Sequence, residues 1–239
     1  MKSSPKIISR GNRSPRLKRF SKHWLDAVKL SDVSVLADSG SSNDSSSVGS
    51  GGGEIFYQVP VGSSYSTFGA GAFVSPWNTN NPSANPPVYD YSESYVVLVL
   101  GGHYGILTIE NTSNNGWQTI AALDGQILIT TPYHYYGGNR TYLEIAVDTS
   151  GNWSFWADFG SVGANRGPIS PYTQGYAQFG SSAGQNDYLM YNGFSNCGVS
   201  SWAGWGPANL SSSPLMVGGQ YEAVGVTTDS VLFQDNPPY

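Results

Sequence analysis

Three glutamates lie in segments that alternate apolar and polar residues: Glu110 closing YGILTIE (104–110), Glu144 in TYLEIAVD (141–148) and Glu222 in YEAVGV (221–226). Two carboxyl groups on one face of neighbouring strands can share acid–base work, one ionised as base and one protonated as acid. Placed on one concave sheet, Glu110 and Glu144 would act on a glycosidic or a peptide bond. The alternative is that both are ordinary outward residues in water, the commoner fate of a glutamate. Aromatic side chains are the second source of chemistry. Tyr142 and Trp156 share faces with carboxylate or serine, Tyr133, Tyr135 and Tyr136 crowd the loop PYHYYGGN, and Trp202 and Trp205 stand in SSWAGWG. Such rings give large, rigid, amphipathic contact area and stack on sugar rings. Packing within a Tyr-rich fold is the plainer account of them.

Other chemistries find little support. His23, His103 and His134 are too scattered for a zinc site, which wants clustered His and Cys ligands. No calcium-loop spacing is present, so neither a metal nor a cofactor is expected. No Gly-x-Ser-x-Gly elbow leads into a helix. Cys197 is the sole cysteine, which excludes an intrachain disulfide and reads as a small buried hydrophobe.

The elements that must position these residues are strands. Ile55 to Val61 alternates; YVVLVL (95–100), YGILTIE, GWQTIAAL (116–123), QILITT (126–131), TYLEIAVD and NWSFWADF (152–159) follow, then YAQF (176–179), YLMYN (188–192), YEAVGV and SVLFQD (230–235). Gly, Asn and Pro separate them, and Asp148 to Gly151 reads as a hairpin turn. Many short strands so punctuated predict an antiparallel sandwich or barrel. Alternation sends Leu143, Ile145, Val147, Trp153 and Phe155 inward, and Tyr142, Glu144, Ser154 and Trp156 outward. YVVLVL is apolar on both faces and should be a central strand covered on both sides.

Charge divides the chain. Nine of its eleven basic residues precede Leu30; against Asp26 they give that segment a net of +8. From Glu54 onward twelve carboxylates face only Arg140 and Arg166, a net of −10. Residues 1–37 read as a basic tail with a short amphipathic segment at 24–36, residues 38–53 as a Gly/Ser linker, and residues 54–235 as the folded domain. The tail suits contact with the acidic body, as a removable prosegment, or with an anionic surface. Charged residues are 11% of the chain, against roughly 25% in ordinary soluble proteins. A body with so few cations gains little self-repulsion in acid, which fits an extracellular or cell-surface setting. No apolar run approaches a membrane span, and no apolar core of a signal peptide follows the basic start.

The segment NTSNNGWQTIAALDGQ (111–126), the Tyr/Gly-rich loop after it and YLEIAVDTSGNWSFWADFG (142–160) resemble the glutamic peptidases, the neprosin-like group more than the eqolisins. The resemblance implies a two-sheet, concanavalin-like jelly-roll sandwich. It also implies a catalytic carboxylate just before Gly-Trp-Gln, where this chain has Asn114, with Glu110 four residues earlier. The second carboxylate would fall near YLMYNGF, where Tyr191 stands and Glu222 is the next candidate. The eqolisin pairing of a glutamine with a glutamate implies Gln118.

The reading that best joins these observations is a secreted or surface-exposed sandwich. It binds carbohydrate or another surface polymer, such as a protein polymer, through Tyr142, Glu144, Trp156, Tyr135 and Trp202. An acid-active hydrolase using Glu110, Gln118 and Glu222 is the alternative, and a structural shell or appendage subunit is a third.

Overall fold

A computed structural model describes residues 53–76, 78–80, 91–112, 116–133, 140–183, 187–189, 192–217 and 221–235. The tail, its amphipathic segment, the linker up to Gly52 and the positions Asn114, His134, Tyr135, Tyr136 and Tyr191 lie outside them. The described residues form strands and turns and no helix. In chain order the strands are β1 (Gly53–Val61), β2 (Thr67–Ser75), β3 (Asn78–Asn80), β4 (Tyr91–Leu100), β5 (His103–Thr112), β6 (Gly116–Leu123), β7 (Gln126–Pro132), β8 (Thr141–Asp148) and β9 (Asn152–Ala157). They continue as β10 (Gly160–Asn165), β11 (Gly175–Ala183), β12 (Asp187–Leu189), β13 (Asn192–Ser201), β14 (Gly204–Pro207), β15 (Leu215–Val217), β16 (Tyr221–Val224) and β17 (Val231–Asp235).

Two antiparallel sheets stack as a sandwich. Sheet A runs β15-β1-β11-β4-β5-β6-β7, and sheet B runs β10-β9-β8-β2-β13-β17-β16 with β14 hydrogen-bonded to β13. β3 and β12 form a separate small ribbon. The core lies between the sheets. Ile55, Val96, Leu98, Leu107, Ile109 and Phe179 point into it from sheet A, and Phe68, Leu143, Ile145, Val147, Trp153 and Phe155 from sheet B. Each large side chain so buried contributes roughly 1.5–3 kcal/mol relative to exposure. With no disulfide available, this packing carries the stability. Cys197 sits in the same core, and burial pushes its thiol up to about 12, with the Asp229 charge adding to the shift.

β4 is central and buried on both faces, as its unbroken apolar run requires. It begins earlier than expected, however, and takes in Ser92, Glu93 and Ser94. NWSFWADF is not one strand: it turns at Asp158 and Phe159, and the chain returns as β10. β2, with the sequence TFGAGAFVS, was not anticipated at all. Its Gly-Ala-Gly run has low strand propensity, and it is held instead between β8 and β13.

The two sheets come together along one side, where β7 ends sheet A and β10 ends sheet B. The β6–β7 hairpin turns through Asp124 and Gly125, at φ 53° and 76°. Both central residues are left-handed, as in a type I′ turn, and Asp-Gly is a favoured pair there. Asp124 accepts from the Tyr104 amide at 3.1 Å and meets His103 Nδ1 at 3.0 Å. Arg166, just past β10, reaches the same carboxylate through Nε at 2.8 Å.

Candidate functional site

The face of sheet A turned away from the core carries a row of polar side chains. Pairing registers place Glu54 opposite Ser182, Ser182 opposite Glu93, Glu93 opposite Glu110, and Glu110 opposite Gln118. Five strands thus contribute three carboxylates, a hydroxyl and an amide to one line. Ser182 Oγ donates to Glu93 Oε1 at 2.8 Å, and Thr108 Oγ1 donates to Glu93 Oε2 at 3.2 Å. The Tyr95 hydroxyl donates to Glu54, crossing β11 where Gly180 leaves room for its ring. Burial raises the Glu54 carboxyl to about 7; the Tyr95 hydrogen bond opposes that shift and the Glu93 charge adds to it. Glu54 therefore keeps its proton in acid solution, as a general acid must. Glu93 and Glu110 are each only 4% exposed, so a substrate has no access to them in this conformation.

This arrangement corrects the expected dyad. Glu110 belongs to sheet A and Glu144 to sheet B, so they do not face one cleft. Glu110 and Gln118 are brought side by side in register. Glu222 is not with them: it lies on β16 in sheet B and accepts from Gln234 Nε2. Glu54 and Glu93 were missed because each precedes the obviously apolar part of its strand. Glu54 follows a glycine run, and Glu93 sits in Ser-Glu-Ser, which reads as a turn. A register between β1, β11 and β4 is a long-range fact that no local pattern displays.

The outward face of sheet B is different in kind. Trp156 on β9 stands opposite Glu144 on β8, and Glu144 opposite Gly71 on β2. The Tyr142 hydroxyl donates to Glu144 Oε2 at 2.6 Å, and the Tyr142 and Phe73 rings lie 5.0 Å apart. Burial, that hydrogen bond and the Glu144 charge push the Tyr142 phenol well above its ordinary value, so it remains a donor. Trp205 on β14 reaches across β13 onto β2. A β-carbon added to Gly69 would come within 2.3 Å of the Trp205 ring, and one added to Gly71 within 2.8 Å of the Tyr142 hydroxyl. The two glycines are therefore the floor on which these rings lie. All four rings remain exposed, Trp156 to 49%.

Tyr142, Glu144 and Trp156 are thus brought together, joined by Phe73 and Trp205. Trp202 sits apart, in the β13–β14 turn, where its ring covers Gly62 and contacts Tyr172 at 6.3 Å. Tyr133 is buried, with its ring 6.1 Å from Trp117. The missed platform residues had a signal: in TFGAGAFVS the glycines recur every second residue, the spacing of one strand face. Among the described residues no cluster of three or more His, Cys, Asp or Glu has the makings of a metal site.

The chain matches no protein-family model and no curated protein. Among solved structures it is similar to Scytalido-glutamic peptidase bound to a peptide-based transition-state analogue, at 11% identity and a TM-score of 0.47, covering 77% of this chain and 98% of that one. It is also similar to the Emp47p carbohydrate recognition domain, at 11% identity and a TM-score of 0.35, covering 59% of this chain and 78% of that one. A third is the Caenorhabditis elegans galectin LEC-6, at 9% identity and a TM-score of 0.30, covering 53% of this chain and 88% of that one. The resemblance to the glutamic peptidase group is weak, and no residue role is taken from any of the three.

Proposed function

We propose that this protein binds a neutral, linear polysaccharide outside the cell, on the outward face of sheet B. One observation carries the reading: four aromatic rings are exposed together beside a carboxylate, two of them against a glycine floor. A pyranose with equatorial substituents has an apolar C–H face that stacks on such rings. Glu144 adds an acceptor for sugar hydroxyls next to Trp156. Neighbouring strands lie about 4.8 Å apart, so rings on β9, β8 and β2 are spaced on the scale of successive sugar units.

Affinity electrophoresis in gels containing a β-1,4-glucan tests this. The protein should be retarded. Trp156→Ala should lose about tenfold or more in affinity, as truncation of an aromatic anchor does. Glu110→Gln should bind as the unaltered protein does. Equal mobility with and without glucan would count against the reading.

The carboxylate row favours a second reading, an acid-active hydrolase. Its supports are the proton held by Glu54 and the pairing of Glu110 with Gln118. That reading requires cleavage of denatured protein at about pH 3, with Glu110→Gln costing about 100-fold. We expect no such cleavage, because Glu93 and Glu110 are shut away from solvent.

A further inference from the structure

Tyr65 lies in a two-residue hairpin turn between β1 and β2, closed by reciprocal backbone hydrogen bonds of Ser64 and Thr67 at 2.9 Å. Its φ is 59°, on the first of the two turn residues. Glycine takes that position in a type II′ turn, because a side chain there is strained. Tyr65 is also 96% exposed, so its ring gains nothing from burial. A residue that costs the fold stability and buries no surface in it has its use elsewhere.

Its surroundings say where. The turn lies beside the β13–β14 turn: the Gly62 amide donates to the Ser200 carbonyl at 3.2 Å, and Trp202 covers Gly62. Trp202 in turn contacts Tyr172, which is exposed on the β10–β11 loop. Three loops thus hold aromatic side chains out at one end of the sandwich. Trp202 and Trp205 flank the same tight turn, and Trp205 already lies on the sheet B platform. Trp205, at one margin of the platform, and Trp202, which contacts Tyr172, are thus carried by adjoining residues of one tight turn and its following strand.

We propose that Tyr65, Tyr172 and Trp202 form an outer subsite that extends the platform, so that the protein selects long glycan chains over short ones. The inference rests on the reading of sheet B as a glycan platform. The subsite takes the next units of the same neutral chain: among the described residues no carboxylate or cation is paired with any of its three rings, and stacking holds the sugar.

The test titrates β-1,4-linked gluco-oligosaccharides of two to eight units into the full chain by calorimetry. Affinity should climb with length past the units that fill the platform. Tyr65→Gly should raise the melting temperature by about 2–4 °C, by relieving the left-handed strain. The same substitution should cost the octamer about tenfold in affinity and leave the shortest binding oligomer unchanged. Trp202→Ala should cause the same length-selective loss. If both variants bind the octamer as the unaltered protein does while Trp156→Ala abolishes binding, the subsite is wrong and the platform stands. If no oligomer binds and Trp156→Ala changes nothing, the platform fails and the subsite with it.

Discussion

At the scale of single residues, Glu54 inverts the usual acid behaviour of a carboxylate. Its folded value of about 7 lies above its ordinary 4.5. Below about pH 4.5 the group is protonated in both folded and unfolded chains. Between the two values only the unfolded chain releases its proton, so the stability that Glu54 contributes falls as pH rises from about 4.5 to 7 and is flat beyond. The ceiling on that loss is about 3 kcal/mol, at 1.36 kcal/mol per unit. Glu54→Gln keeps an acceptor for the Tyr95 hydroxyl without the charge. We expect it to melt higher than the unaltered protein at pH 7.5 and alike at pH 4, measured by calorimetry. A variant that keeps the full pH slope would place the titrating group elsewhere. Asp148 pulls the other way: side-chain and backbone hydrogen bonds from Asn152 hold its carboxyl below the usual range. Lying at the end of β8 and only partly buried, it is screened by solvent and contributes the smaller part.

Among the elements, β2 decides whether the platform is flat. Gly69→Ala would set a methyl into the Trp205 ring, and the ring would have to lift. Its backbone is compatible with alanine, and replacing a strand glycine ordinarily adds about 0.4–1 kcal/mol by restricting the unfolded chain. The expected result is therefore a nearly unchanged melting temperature with about tenfold weaker glucan binding, read by affinity electrophoresis beside Trp205→Ala. Unchanged binding would show that the flatness of the ring is irrelevant. β2 also shows what a sequence displays and what it conceals. The inward and outward faces of β8 and β9 follow from alternation alone, and the burial of β4 follows from an apolar run that does not alternate. These are local patterns of burial that any sheet partner would satisfy. The partners are another matter. Gly-Ala-Gly announces no strand until Trp205 and Tyr142 need a floor, and Glu54 joins Glu93 and Glu110 only when β1 and β4, far apart in sequence, both pair with β11. Tyr142, Glu144 and Trp156 were legible as a group because β8 and β9 are consecutive. Glu222 was misplaced because nothing local tells which sheet a strand joins.

For the folded body as a whole, scarcity of cations governs the response to acid. Among the described residues Arg166 forms an ion pair with Asp124, and His103 Nδ1 meets the same carboxylate. With few cations in the body and Glu54 favouring the acid side, the melting temperature should hold or rise between pH 7 and pH 4. A steep fall over that range, followed by circular dichroism, would contradict this balance. The same convergence has a consequence for solubility. β7 and β10 are the last described strands of their sheets, and an edge strand is where another chain can add by backbone pairing. Asp124 ties the turn leading into β7 to the residue that follows β10, so one carboxylate keeps the two margins pressed together. Asp124→Ala should leave glucan binding intact at 20 °C and yet scatter light on mild heating or at high salt, as neighbouring molecules add strand to strand. A residue away from the sheet B platform would then determine whether molecules add to one another strand by strand.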